Sequence, residues 1–74
     1  MRYKTGTRVT VKNGGLDSGK RGVVIPPRLD ANRRPVTTNG GHPYPYHAGR
    51  DAMIRTDSGD VLCYDTRYLS REDV

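Results

Sequence analysis

The stretch that decides the fold is Gly6-Thr7-Arg8-Val9-Thr10-Val11-Lys12-Asn13-Gly14-Gly15-Leu16-Asp17-Ser18-Gly19-Lys20-Arg21-Gly22-Val23-Val24-Ile25. Its first half alternates strictly, with β-branched residues at Thr7, Val9, Thr10 and Val11, so 7–12 reads as a half-buried strand with Val9 and Val11 inward. Asn13-Gly14-Gly15, then Gly19, supply turn positions where φ can be positive without a Cβ clash. Arg21 to Ile25 is a second β-rich run, and the two runs read as one β-hairpin. Gly22 falls where the second strand must bend and a side chain would crowd a crossing strand.

Downstream, Pro26-Pro27 ends the second strand, because proline donates nothing to a ladder. Residues 27–50 show no clear period and hold Pro27, Pro35, Pro43 and Pro45 together with Asn39-Gly40-Gly41. A loop of this length in a small domain is either functional or disordered. A short strand around Pro35 to Thr38 fits only at an edge. Asp51 to Thr56 and Val61 to Tyr64, joined by Asp57-Ser58-Gly59-Asp60, form a second hairpin. Asp65 to Leu69 reads as one 3₁₀ turn capped by Asp65 or Thr66, and Ser70 to Val74 as a last edge strand. No segment sustains an apolar period of 3.6, so no long helix is expected.

The pattern of Val9-x-Val11, Gly14 and then Gly19-Lys20-Arg21-Gly22-x-Val24 resembles the KOW motif of ribosomal and NusG-type proteins. The resemblance covers Gly6 to Ile25. It implies an all-β, SH3-like barrel of about five strands, with one 3₁₀ turn near the C-terminus. The closing order of hairpin, helical turn and short strand is usual for such barrels. The long Pro/Gly-rich excursion at 27–50 is a departure from that family.

The 74 residues allow one domain, 1–74, with a small core. Apolar residues make up 32 % and there is neither Phe nor Trp, which excludes a helical bundle and a two-domain enzyme. No run approaches the ~20 apolar residues of a membrane helix. The single Cys63 and the absence of an apolar leader after Met1-Arg2 lead to the expectation of a reduced, cytoplasmic protein.

Charge is uneven along the chain. Residues 1–34 carry a net +7 and residues 35–74 a net −2. A basic half suggests a polyanion; a solvated surface is the plain alternative. The leading expectation is a non-enzymatic module that contacts RNA, DNA or a protein of transcription or translation. Arg8, Lys12, Lys20 and Arg21 would meet phosphates around the first hairpin, and Arg28, Arg33 and Arg34 would extend the strip. Lys20 and Arg21, flanked by Gly19 and Gly22, are expected at a mobile, exposed tip. Tyr44 and Tyr46, interleaved with Pro43 and Pro45 and followed by His47, form either a partner-binding platform or a cover for the core.

Two other function classes stand beside this one. The first is a protein-interaction module without nucleic-acid binding, using the Pro-rich loop. The second is a small oligomeric enzyme, since Val61-Leu62-Cys63-Tyr64 resembles the Val-x-x-Tyr strand of type II dihydrofolate reductases, although their strand tryptophan is absent here. Other chemistry finds little support. Gly14-x4-Gly19-Lys20 approaches a phosphate loop, but Arg21 stands where Ser or Thr would hold Mg²⁺. His42 and His47, with Cys63 and Asp51, lack the spacing of a metal site, so neither metal nor cofactor is expected. Cys63 in an apolar strand reads as a packing residue.

Overall fold

The computed structural model describes residues 3–12 and 15–72. Asn13 and Gly14 of the expected first turn, and Asp73 and Val74 of the expected last strand, lie outside the described residues. Seven strands are described: β1 (Arg8–Val11), β2 (Arg21–Ile25), β3 (Val36–Thr37), β4 (Gly40–Gly41), β5 (Asp51–Thr56), β6 (Val61–Asp65) and β7 (Leu69–Arg71). Three-residue 3₁₀ turns occupy Gly15–Asp17 and Thr66–Tyr68. Five strands make one antiparallel sheet in the order β6-β5-β2-β1-β7, and β3-β4 form a separate hairpin. The domain is therefore all-β, and both hairpins expected from the sequence are present. β7 begins at Leu69, one residue earlier than expected, because Asp65 caps the 3₁₀ turn by accepting from the Arg67 N–H.

The register sorts the side chains into two faces. Val24, Ile54 and Leu62 are direct cross-strand partners, as are Val11 and Leu69. With Val9 and Ala52 they form the main core, flanked by Tyr3 and Tyr64. Gly22 sits in this row opposite Thr56, and a Cβ there would lie 2.5 Å from the Arg55 carbonyl oxygen and 2.9 Å from Thr56 Cα. β5 therefore runs too close to β2 for any side chain at position 22. At the other hairpin, Gly59 takes φ +97° and donates to Thr56 O at 2.9 Å, which closes the turn.

One short connection forces the sheet to curl. β6 and β7 are its two edges, and flat strands spaced ~4.8 Å apart would hold them roughly 19 Å from each other. Only Thr66–Tyr68 join them, and a 3₁₀ turn rises about 2 Å per residue. The edges must bend toward one another, which wraps the apolar face around Val9, Val11 and Ile54 without a second layer. β6 and β7 share no ladder among the described residues, so the sheet stays open at that seam.

The excursion at 27–50 is not the structureless loop that its composition suggests. It is built as a ribbon of three short segments. Leu29 bridges Pro35, Val36 N donates to Arg28 O at 2.8 Å, and Val36–Thr37 pair with Gly40–Gly41. Thr38 N reaches Val61 O at 3.0 Å and ties the hairpin to β6. Met53 faces away from the main core yet is fully buried, with Arg28 N 3.1 Å from its Sδ. Its cross-strand partner Cys63 is buried on the same face, and Pro35 is buried in the ribbon. Packing, rather than periodicity, thus orders the excursion. Full burial of one Met side chain is worth about 1.5–3 kcal/mol.

Candidate binding surface

The cations named from the sequence fall into two groups. Arg8, Lys20 and Arg21 of the first hairpin are already paired. Arg8 meets Asp57 at 3.1 Å and Glu72 at 3.3 Å, and Arg21 meets Glu72 at 3.5 Å. Lys20 lies 2.9 Å from Asp17 and 3.8 Å from Asp60. Neither Lys20 nor Arg21 occupies a mobile tip. Arg21 opens β2, and Lys20 is half-buried beside the 3₁₀ turn. Asp17 also accepts a hydrogen bond from the Tyr64 hydroxyl. Hydrogen bonds from Lys20 and Tyr64 hold Asp17 below the ordinary carboxylate range against the opposing effect of burial. Burial, with the hydrogen bond to Asp17 and its charge, pushes Tyr64 up to about 12. The first hairpin is therefore tied to β6 by a Lys20–Asp17–Tyr64 chain.

The second group has no such partners. Arg28, Arg33 and Arg34 are exposed, and no carboxylate lies within ion-pairing distance of them among the described residues. The same holds for Lys12 beside the first turn, and for Lys4 and Arg55 elsewhere. The turn that carries Arg33 is built by Asp30. Its Oδ1 accepts from Asn32 N at 2.8 Å and Arg34 N at 3.0 Å, and its carbonyl accepts from Arg33 N at 3.0 Å. Arg33 takes φ +63°, a left-handed conformation that this turn imposes on a non-glycine residue.

Pairing along the ribbon fixes which side chains share a face. Arg28 stands opposite Val36, Asp30 opposite Arg34, and Leu29 opposite Pro35. Alternation puts Pro35 inward and Arg28, Arg34 and Val36 outward, with Asp30 beside them. Val36 is accordingly 43 % exposed. The third segment bulges. His42 N donates to Pro35 O at 3.0 Å and Tyr46 N donates to Arg33 O at 2.9 Å, so five residues on one side span three on the other. Tyr44 is the middle residue of that bulge.

The bulge separates the two tyrosines. Tyr46 turns inward, and its hydroxyl donates to the Asp51 carbonyl at 3.1 Å. It lines a cleft of about 160 Å³ with Tyr3, Ile25, Pro27 and Ala48. Tyr44 stays 66 % exposed, with the His42 ring packed edge-on at 5.9 Å. His42 Nδ1 lies 3.1 Å from the Tyr44 carbonyl and 3.2 Å from its N–H. Thus one tyrosine completes the fold and the other remains an open platform. Had 43–46 been a regular strand, Tyr44 and Tyr46 would share a face.

The remaining groups are structural. His47 is exposed, and its backbone N–H donates to Asp51 Oδ2 at 2.9 Å. Burial pulls Asp51 upward, but hydrogen bonds from Arg50 and His47 outweigh it and leave the carboxyl below its usual range. Burial pushes the Cys63 thiol up to about 12, so it carries almost no thiolate at neutral pH. No three His, Cys, Asp or Glu side chains gather as metal ligands among the described residues. No helix among them is long and apolar enough to cross a membrane.

Comparison with family models, curated proteins and solved structures finds no match. Function has to be argued from the surface itself. Sequence reasoning named the arginines and Tyr44, but missed Val36, 43 % exposed on the arginine face, and Leu29, 40 % exposed on the Pro35 side of the ribbon. Their exposure follows from the ribbon's edge position, which no local period signals. The Asp17–Lys20 pair was missed as well: the sequence reading placed Lys20 at an exposed tip, whereas the 3₁₀ turn sets it 2.9 Å from Asp17.

Proposed function

We propose that this chain is a small, non-enzymatic nucleic-acid-binding module with an SH3-like barrel fold, contacting its partner through the outer face of the 28–46 ribbon. The strand order supports the fold reading. β1, β2, β5 and β6 lie side by side as antiparallel neighbours, and β7 returns to β1 through a 3₁₀ turn. The close β2–β5 crossing at Gly22 agrees with the KOW-like reading of Gly6 to Ile25.

The observation that carries the functional reading is the contrast between the two groups of cations. Exposed ion pairs are worth ~0–1 kcal/mol, so Arg8, Lys20 and Arg21 are not locked away, yet a phosphate must compete there with a carboxylate. Among the described residues no carboxylate is ion-paired with Arg28, Arg33 or Arg34, and the segment 27–50 carries a net +3. Arg33 and Arg34 are also carried on a hydrogen-bonded turn, so less backbone has to be ordered on binding.

Fluorescence anisotropy with RNA and DNA oligonucleotides at about 50 mM salt tests the reading. Binding should weaken steeply with salt. Arg28→Ala with Arg34→Ala should lower the log–log salt slope by about 0.7 to 0.9 per lost phosphate contact. Lys20→Ala with Arg21→Ala should change it less. Absence of binding at low salt rejects the proposal. Exposed Leu29, Val36 and Tyr44 on the same ribbon favour a second reading, docking to a protein. Capture of a partner that survives nuclease treatment would select it.

A further inference from the structure

We infer that the ribbon takes unpaired nucleic acid, stacking one base on Tyr44 while Arg34 and Arg28 hold the adjoining backbone. This rests on the nucleic-acid reading above and names the substrate class for that surface. Three features carry it.

First, the bulge holds the ring out. Three residues on one segment face five on the other, and Pro43 and Pro45 fix φ on both sides of Tyr44. His42 secures the Tyr44 backbone through its Nδ1 and packs edge-on against the ring. An edge contact leaves a ring face open, and 66 % of Tyr44 is exposed. A tyrosine used only for packing would be turned inward, as Tyr46 is.

Second, the charge lies on the same ribbon as the ring. The bulge that carries Tyr44 is anchored on the carbonyls of Arg33 and Pro35, which flank Arg34, and Arg28 and Arg34 share one face of the ribbon. Asp30 is paired opposite Arg34 on that face, and its Oδ1 accepts from two backbone N–H groups. A flat π surface and exposed cations carried on one ribbon match a base and its phosphates.

Third, the shape disfavours a duplex. The face is a narrow ribbon of two- and three-residue segments with a protruding aromatic ring. It offers no helix or long two-stranded arm to enter a major groove. A base inside a duplex is already stacked on both sides, so Tyr44 gains a partner only from an unpaired strand.

The test compares single-stranded 12-mers of DNA and RNA with a hairpin duplex of equal charge, at about 50 mM salt, on wild type, Tyr44→Ala and Tyr44→Phe. The expected result is single-strand binding about tenfold tighter than duplex binding. Tyr44→Ala should lose about tenfold on single strands, and Tyr44→Phe should retain affinity, because stacking needs the ring and not the hydroxyl. Circular dichroism of each variant should overlay wild type, since the side chain is exposed. Binding should also quench tyrosine fluorescence in wild type, with a smaller change in Tyr44→Ala. Equal affinity for duplex and single strand, or full affinity in Tyr44→Ala, overturns the inference and leaves the arginine-based reading standing. No binding to any oligonucleotide overturns both.

Discussion

Gly22→Ala is the substitution whose cost follows most directly from the geometry. The added Cβ would lie 2.5 Å from Arg55 O, 2.9 Å from Thr56 Cα and 3.0 Å from Arg55 C. All three are backbone atoms, so no flexible side chain can move aside. β2 and β5 must separate by several tenths of an ångström along the ladder that pairs Gly22 with Thr56. Overpacking of this kind costs typically 1–3 kcal/mol. Stiffening of the unfolded chain returns about 0.4–1 kcal/mol. The difference spans about 0–2.6 kcal/mol, and a 2.5 Å approach to backbone puts the expected net loss in its upper half, roughly 1.3–2.6 kcal/mol. The total stability of a domain this size is only ~4–11 kcal/mol. At roughly 4–8 °C per kcal/mol, Tm should fall by about 5–20 °C. Thermal and urea unfolding followed by circular dichroism reads the change. Gly41→Ala is the internal control, because nothing lies within 4 Å of its Cβ and its φ is not positive; its Tm should hold or rise slightly. A Gly22→Ala variant as stable as wild type would refute the close crossing of β2 and β5.

Further outcomes concern pH and the thiol. Asp17, Asp51 and Asp65 are all held below the ordinary carboxylate range. Their stabilisation is complete above the unfolded value near 4 and is lost as pH falls through the folded values. The urea midpoint should therefore be flat from pH 7 to 5 and drop below about pH 4; Asp17→Asn should lower the plateau and shorten that acid limb. Cys63, 8 % exposed and with its pKa pushed up to about 12, should resist a thiol reagent at pH 7 in the native state and react at once in urea. Fast native labelling would show that the ribbon does not cover β6.

Much of the fold was written locally. The alternation of Val9 and Val11, the Asp57-Ser58-Gly59-Asp60 turn and the Asp65 cap each rest on neighbours within a few residues, so strands β1, β2, β5 and β6 and the second 3₁₀ turn could be read directly. Gly22 was legible for the same reason, since a glycine inside a β-rich run signals a backbone in close approach. The excursion was not legible. Its order depends on Met53 and Cys63, which lie outside it in sequence, and on carbonyls of Arg28, Arg33 and Pro35 that no period announces.

The site divides along the same line. Composition alone determined that the chain is basic and which side chains carry the charge. Sequence order made residues 1–34 look like one positive half, but that half is not a surface. The sheet brings Asp57, Asp60 and Glu72 back onto Arg8, Lys20 and Arg21, residues up to 64 positions apart along the chain. Tertiary structure thereby paired Arg8, Lys20 and Arg21 and, among the described residues, left Lys12, Arg28, Arg33 and Arg34 without ion-pair partners. It also chose between Tyr44 and Tyr46, two residues with the same local sequence, because a bulge depends on what pairs across it. Local chemistry settles strands, turns and caps, since those interactions span a few residues. Pairing of charges and exposure of a ring are set by distances through space, which only the folded chain defines.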